Sequence, residues 1–207
     1  MKRPLDFHAA NRTGLVKFAR VYSNIVSPPV MFATLGLALG LRSLPFWPGF
    51  GWAALYGILV SLLPILFVLY LLRTGRIKEL HMSNTGERHW PYITAVFCSL
   101  LAYFLITLFH GPPLLQCLTI FNIVELAALA LINIYWLISI HTTGAMATWL
   151  VVGLVFGWTA SLWVLPLVIS VCWVRLYLKR HTPGQVTAGL ALGVVSVLSL
   201  TLIGCFN

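Results

Sequence analysis

Two short polar segments interrupt an otherwise apolar sequence and contain the residues best suited to chemistry. One runs from Ser139 to Gly144 and includes His141, and the other runs from Arg175 to Gln185 and includes His181. Ionisable side chains beside hydrocarbon are costly and are usually retained for a site. The segments lie two predicted membrane crossings apart, so both can face one pocket. Two histidines and an arginine are the groups that phosphoryl transfer on a lipid requires.

The composition of the chain indicates an integral membrane protein. Of its 207 residues, 60% are hydrophobic and 8% are charged, and the mean hydropathy is +0.95. A water-soluble domain of this length would not tolerate such a surface. The N-terminus lacks the short apolar core and the small-residue cleavage site of a secretory signal. We therefore expect the first span to remain in the mature protein.

Apolar periodicity predicts an all-α fold, a polytopic transmembrane helix bundle with six or seven spans and a short amphipathic N-terminal helix. Residues 1–20 are predicted to lie at the interface, and residues 21–207 to form a single transmembrane domain. Residues 113–156 are nearly continuous, but one helix of that length would run ~66 Å, about twice the hydrocarbon thickness, so we expect a break at 135–141. The predicted spans are 21–41, 50–72, 91–110, 113–134, 142–157, 159–178 and 184–206.

The distribution of basic residues predicts the orientation in the membrane. With seven spans, four segments share one side, here named the site face: the N-terminus, the 73–90 loop, the 135–141 break and the 178–183 turn. Every Lys and Arg except Arg42 falls on that side. The positive-inside rule then places the site face in the cytoplasm. We expect the plasma membrane of a bacterium.

The residues of the site face resemble the type 2 phosphatidic acid phosphatase family, membrane enzymes that remove phosphate from lipid phosphates and diphosphates. Its third signature is Ser-Arg, five residues, His, three residues, Asp. Arg175 and His181 match with the required gap, whereas Val174 and Gln185 stand in the places of Ser and Asp. The resemblance covers roughly residues 75–190.

The other two signatures of the family are matched in part. Ser139 and His141 resemble the Ser-Gly-His portion of Pro-Ser-Gly-His. The remaining signature is Lys, six residues, then Arg-Pro; here Arg88 and Pro91 resemble its basic and proline positions, and His81 occupies the place of the lysine.

The resemblance implies a role for each matching residue. His181 is the nucleophile that forms a phosphohistidine, and His141 is the general acid that protonates the leaving oxygen. Arg175 and Arg88 bind the phosphoryl oxygens. The positions expected to support them are Gln185 and Ser139.

The resemblance implies a lipid phosphate or polyprenyl (di)phosphate phosphatase that needs no metal and no other cofactor. Its partners would be a membrane lipid substrate and the bilayer, with no nucleic acid. An aspartate behind the nucleophile is worth roughly 10² to 10⁴ in rate in other His-Asp pairs. Gln185 can accept a hydrogen bond from His181 but brings no charge, so we expect slow turnover.

Other interpretations remain open from the sequence alone. A catalytically inactive subunit or lipid-binding scaffold with the same fold would use the basic residues to hold an anionic head group. The segment 175–180 can also be a basic helix end that reaches the interface, and His141 can be a turn histidine bonded to backbone. A prenyl transferase would require clustered aspartates for magnesium diphosphate, and Asp6 is the only aspartate.

The remaining buried polar residues are interpreted structurally. Glu125, deep in a span, is predicted to be a hydrogen-bond partner for Asn122, Asn133 or a neighbouring helix. Thr142 or Thr143 is expected to cap the helix that follows the 135–141 break. Four cysteines in apolar runs are interpreted as small buried hydrophobes: Cys98, Cys117, Cys172 and Cys205.

Overall fold

The computed structural model describes residues 14–78, 82 and 85–206. Over these residues the fold is all-α without a strand, as predicted. The first thirteen residues of the predicted interfacial segment, and His81, lie outside the described part. The helices are α1 (Gly14–Ile25), α2 (Pro28–Ser43), α3 (Phe46–Gly57), a π-helical turn (Ile58–Leu62), α4 (Leu63–Arg73), a 3₁₀ turn (Thr85–Arg88), α5 (His89–Leu108), α6 (Pro113–Tyr135), α7 (Ile140–Phe156), α8 (Trp158–Leu162), α9 (Leu165–Tyr177) and α10 (Pro183–Thr201).

Five helical stretches are long and apolar enough to cross a membrane. The helices α1 and α2, which meet at a 47° bend, add a sixth if they are counted as one span. The helix α7 is apolar but has only 17 residues. The long stretches are Phe46–Arg73, Gly86–Leu108, Pro113–Tyr135, Trp158–Tyr177 and Pro183–Thr201.

The predicted break between the fourth and fifth spans is confirmed. Helix α6 ends at Tyr135 and α7 begins at Ile140. Within the break, the backbone N–H of Ile138 donates to Oδ1 of Asn133 at 3.2 Å. A polar side chain at the end of α6 therefore satisfies a backbone group that the break leaves without a helical partner.

Helix α1 packs on α9 and so belongs to the bundle. Val16 and Ala19 of α1 are buried with Val174 and Leu178 at the far end of α9. A hydrogen bond of 2.5 Å joins the hydroxyls of Tyr22 and Ser170. The helix runs through position 20, where the sequence places the end of the interfacial segment.

Helices α7 and α10 approach each other through glycines. A Cβ added at Gly189 would lie 2.3 Å from Oγ1 of Thr142, and one at Gly193 would lie 2.6 Å from the carbonyl oxygen of Thr143. Only a residue without a side chain allows this separation. The start of α10 is thereby held against the start of α7, which brings the two polar segments of the sequence together.

Two of the four cysteines form a disulfide bond, so their interpretation as separate small hydrophobes is wrong. Cys117 lies in the second turn of α6 and Cys205 follows α10, 88 residues later in the chain. Both helix ends lie at the face opposite the site face, where the antiparallel course of the spans brings them together. Cys98 and Cys172 are free thiols.

Candidate functional site

The turn after α9 folds His181 back onto Arg175. The side chains are 4% and 7% exposed, and Nη2 of Arg175 lies 3.3 Å from Nε2 of His181. The backbone N–H of Arg180 donates to the carbonyl of Arg175, and that of Lys179 donates to Leu176. These two bonds form a Schellman motif, which ends the helix and reverses the chain.

The residue that reverses the chain is not a glycine. Lys179 has φ of +49°, in the left-handed region that non-glycine residues occupy at a cost of roughly 1–2 kcal/mol. The sequence therefore lacked the usual glycine signal for a helix end. This strained residue places His181 beside the arginine that lies six positions earlier.

A second hydrogen bond fixes the other nitrogen of the Arg175 guanidinium. Its Nη1 donates to Oγ of Ser23, at the end of α1, at 2.9 Å. Ser23 is 3% exposed, and α1 is held there by its packing on α9. Ser23 could not be predicted from the sequence, because one serine 152 positions away from its partner carries no local signal.

The imidazole of His181 is neutral at physiological pH. Burial lowers its pKa well below 6.5, and the positive charges of Arg175 and Arg88 lower it further, followed by Arg180. The side-chain amide of Gln185 opposes this shift in pKa. All three basic neighbours therefore favour the unprotonated ring.

The arginine also determines the tautomer of His181. A guanidinium has donors and no acceptor, so the bond between Arg175 and His181 requires Nε2 to accept. The ring proton is then on Nδ1, and the Nε2 lone pair points at the guanidinium. The site thus holds a nucleophilic nitrogen directly against an anion-binding group.

Gln185 has a structural task at the start of α10. Its Oε1 accepts from the backbone N–H of Thr182 at 3.0 Å, and its own N–H donates to Oγ1 of Thr182 at 3.3 Å. This reciprocal pair is a capping box. The residue expected to support His181 therefore lies next to it while it holds the turn in place.

Ser139, and not Thr142 or Thr143, is the N-cap of α7, which corrects the sequence expectation. Its Oγ accepts from the backbone N–H of Thr142 at 3.4 Å. Both threonine hydroxyls instead donate back to the carbonyl of Ser139 at 3.0 Å. Because its side chain is buried and engaged in the cap, Ser139 supports the helix start.

The two polar segments meet through backbone contacts. The N–H of Ser139 donates to the carbonyl of Gln185 at 3.4 Å, and the hydroxyl of Thr142 reaches the carbonyl of Val186 at 3.3 Å. His141 lies between these contacts in sequence, in the first turn of α7, and is half-buried. Both predicted histidines therefore lie at the same end of the bundle.

Arg88 brings a third segment to the same end. Its Nε donates to the carbonyl of Met82 at 2.8 Å, and its charge is near enough to lower the pKa of His181. Next to it, the Tyr92 hydroxyl accepts from Nδ2 of Asn133 at 2.9 Å. Tyr92 and Asn133, which no sequence pattern indicated for this role, connect the 85–88 turn to the break after α6.

The assembled residues form a buried cationic site. Arg180 is also buried, at 8% exposure, and within the described part of the chain each charge that acts on His181 is positive. Over the described residues, no three His, Cys, Asp or Glu side chains are grouped to hold a metal ion. The geometry favours an anion beside a neutral imidazole.

No family model, no curated protein and no solved structure matches the chain.

Proposed function

We propose that this integral membrane protein hydrolyses a lipid phosphate or a polyprenyl (di)phosphate through a phosphohistidine on His181. The observation that carries the proposal is the buried contact of 3.3 Å between Arg175 and the neutral His181. It supplies an anion-binding fork and a nucleophile in one place, inside a bundle of apolar helices. The order and spacing of the site residues resemble those of the type 2 phosphatidic acid phosphatases, which supports the same reaction.

In the first step, phosphate oxygens accept hydrogen bonds from Arg175. The bond from Arg175 to Nε2 of His181 breaks, which frees the Nε2 lone pair. The Nε2 lone pair attacks phosphorus, and the bond from phosphorus to the lipid oxygen breaks with its electron pair on that oxygen. His141 gives a proton to the leaving oxygen. Arg88 and Arg175 stabilise the charge on the phosphoryl oxygens.

In the second step, water attacks the phosphorus of the phosphohistidine and gives a proton to His141. The bond between nitrogen and phosphorus breaks, and its electron pair returns to Nε2 of His181. Phosphate leaves, and both histidines regain their starting protonation. Each proton lost in the first step is therefore recovered in the second.

The capping role of Gln185 supports a slow rate. The imidazole becomes positively charged when Nε2 attacks, and a carboxylate behind Nδ1 would stabilise that charge. Gln185 contributes an amide whose oxygen already accepts from Thr182. We expect a rate lower by roughly 10² to 10⁴ than that of an enzyme with a carboxylate there.

We also propose that the site face is cytoplasmic. The disulfide between Cys117 and Cys205 lies at the opposite face. Disulfides persist in oxidising compartments, whereas the cytosol keeps thiols reduced. The disulfide supports the same orientation as the basic residues and is independent of them, since a phosphate site would collect arginines on either side.

A lipid-binding scaffold is the second candidate function. It is favoured by the glutamine behind His181, because the same buried arginines can hold an anionic head group without turnover. A scaffold needs the charge of Arg175, whereas an enzyme also needs the lone pair of His181. Substitution at these two positions therefore separates the two functions.

Phosphate release by the purified protein, with lipid phosphates and lipid diphosphates in the presence of EDTA, tests the proposal. His181→Ala should abolish release. The matched control is His110→Ala, which removes an exposed histidine at the opposite face and should leave release unchanged. Absence of release from the unsubstituted protein would favour the scaffold, provided that anionic lipid still binds to His181→Ala and binds more weakly to Arg175→Ala.

The charge behind His181 can be restored in two ways. Gln185→Glu should raise the rate and keep the capping box, because glutamate occupies that position of the motif equally well. Gln185→Asp also brings a charge, but its shorter side chain should weaken the bond to Thr182. No gain in rate from either variant would contradict the role assigned to position 185.

A further inference from the structure

Three polar side chains lie fully buried in the middle of the bundle. Tyr56 of α3 and Asn122 and Glu125 of α6 are each 0% exposed. The hydroxyl of Tyr56 donates to Oδ1 of Asn122 at 2.6 Å. Glu125 follows Asn122 by three residues, which places both on one face of α6. It also lies ten residues before the end of α6 at Tyr135, or about 15 Å from the site face.

The carboxyl group of Glu125 has no hydrogen-bond partner among the described residues. Neither of its oxygens makes a hydrogen bond, and Nδ2 of Asn122 also lacks an acceptor. The interpretation of Glu125 as a hydrogen-bond partner of Asn122, Asn133 or a neighbouring helix is therefore wrong. Asn122 is bonded to Tyr56, and Asn133 is bonded to Tyr92 and to the backbone of Ile138.

No basic side chain faces Glu125 from the described helices packed around it. Tyr56 from α3 and Tyr92 from α5 are the titratable groups that face it. Arg88, in the 3₁₀ turn that also packs on α6, interacts with Tyr92 and His181 and not with Glu125. Helix α10 contains no ionisable residue, and the only one in α2 is Arg42, in its last turn at the opposite face. A carboxylate here would be a charge without a counterion.

An unpaired carboxylate at this position would carry a very large free-energy cost. Moving a carboxylate from water to a medium of low dielectric costs on the order of 20 kcal/mol before relaxation. A group in this situation takes up a proton and becomes neutral. A bound metal cation is a poorer solution, because hard cations need about six oxygen ligands and Oδ1 of Asn122 already accepts from Tyr56.

We propose that Glu125 is a proton-binding site in the interior of the bundle and that its carboxyl group holds a proton at neutral pH. The proton can leave only when water or a base reaches the carboxyl. Proton release is thereby linked to opening of the helices around α6. This site is separate from the cationic site, so its occupancy does not depend on phosphatase activity.

Infrared difference spectroscopy of the full chain in lipid vesicles tests the proposal. The substitution Glu125→Gln keeps the size of the side chain and should remove a carboxylic-acid C=O band that shifts in D₂O. The matched control Glu87→Gln, in the 3₁₀ turn at the site face, should leave that carboxylic-acid band in place. Loss of carboxylate intensity in Glu125→Gln, with no loss of the carboxylic-acid band, would overturn the proposal.

Chemical labelling gives a second measurement. A protonated carboxyl passes its proton to a nitrogen of dicyclohexylcarbodiimide, adds through oxygen to the central carbon, and rearranges to a stable acylurea. Peptide mass mapping should find this apolar reagent on Glu125, with no label there in Glu125→Gln. A water-soluble carbodiimide should label Glu87 and spare Glu125. Equal labelling of both by the water-soluble reagent, or no labelling of Glu125 by the apolar one, would count against the proposal.

Discussion

At the scale of the residue, the site depends on the two ends of one guanidinium. Nη1 of Arg175 is fixed by Ser23 and Nη2 contacts His181. Because the guanidinium is planar, the bond from Nη1 to Ser23 also fixes the direction in which Nη2 points. A lysine ammonium has rotatable donors and cannot be fixed in this way. Ser23 is therefore a positioning residue for the contact with His181.

Removing the hydroxyl of Ser23 should weaken the site without removing a charge. A hydrogen bond to a charged group contributes about 1.5–3 kcal/mol, so Ser23→Ala should lower kcat/KM by about 10- to 100-fold. Phosphate release measures this effect, and Ser23→Thr should restore most of it. The control is Ser199→Ala, where an exposed serine bonds only to its own helix. Equal losses in Ser23→Ala and Ser199→Ala would refute the positioning role.

The lowered pKa of His181 predicts how stability depends on pH. In the unfolded chain the ring titrates near 6.5, whereas burial and Arg175 lower its pKa in the folded protein. Between the two pKa values the unfolded state binds more protons, so the free energy of unfolding rises with pH. Stability should be full above about pH 6.5 and fall on acidification below it.

Thermal unfolding across this pH range measures the dependence. The variant His181→Gln should lose much of the acid-induced fall, because it removes the titrating ring. The exposed His110 serves as the control, and His110→Gln should keep the fall seen in the unsubstituted protein. An identical pH dependence in His181→Gln would contradict the assignment of a neutral, buried ring.

At the scale of the element, the sequence predicts helix ends where polar side chains satisfy the backbone locally. The break after Tyr135 was predictable because Asn133 and Ser139 lie beside it: Asn133 accepts from the backbone N–H of Ile138 in the break, and Ser139 caps the first turn of α7. The Schellman motif after α9 could not be predicted, because Lys179 occupies the position where glycine is usual. The predicted cap of α7, Thr142 or Thr143, lies three or four residues after the observed one, Ser139, since serine and threonine are almost equally good N-caps.

The close approach of α7 and α10 gives a prediction at this scale. Gly189→Ala would place a methyl group 2.3 Å from Oγ1 of Thr142 and 2.8 Å from the carbonyl oxygen of Ser139. Overpacking of this kind costs about 1–3 kcal/mol, and the shift should also separate His141 from His181. Unfolding in denaturant measures the first effect and phosphate release the second.

A second glycine provides the control for this prediction. A methyl group at Gly51, in α3, meets nothing within 4 Å. The variant Gly51→Ala should be neutral or gain up to about 1 kcal/mol from helix propensity. Similar stabilities of the two variants would show that the helices do not pack as described.

At the scale of the whole molecule, the two faces differ in chemistry. The site face gathers buried arginines, and the opposite face has the disulfide. Hydropathy predicted the helical bundle because each span must bury its own backbone bonds. It could not predict the pairing of Cys117 with Cys205, or that of Ser23 with Arg175, which depend on how distant helices pack.

Site-specific labelling of intact cells tests the orientation. In a chain with Cys98 and Cys172 replaced by alanine, an impermeant maleimide added outside should label Trp47→Cys and leave Arg76→Cys unlabelled. Both positions are exposed, on opposite faces. Permeabilised cells, in which both variants should react, provide the control. External labelling of Arg76→Cys alone would reverse the proposed orientation.

The shortness of α7 has a consequence for how a lipid reaches the site. Seventeen residues span only about 26 Å at 1.5 Å per residue, less than the ~30 Å of hydrocarbon in a bilayer. The small residues of α7 are buried, so surrounding helices shield much of it from lipid. The difference between its length and the bilayer thickness is then met by contacts with protein. We expect the bilayer to thin locally at the start of α7, so that a head group reaches His141 while its acyl tails stay among their neighbours. Hydrolysis would then require no extraction of the lipid from its leaflet.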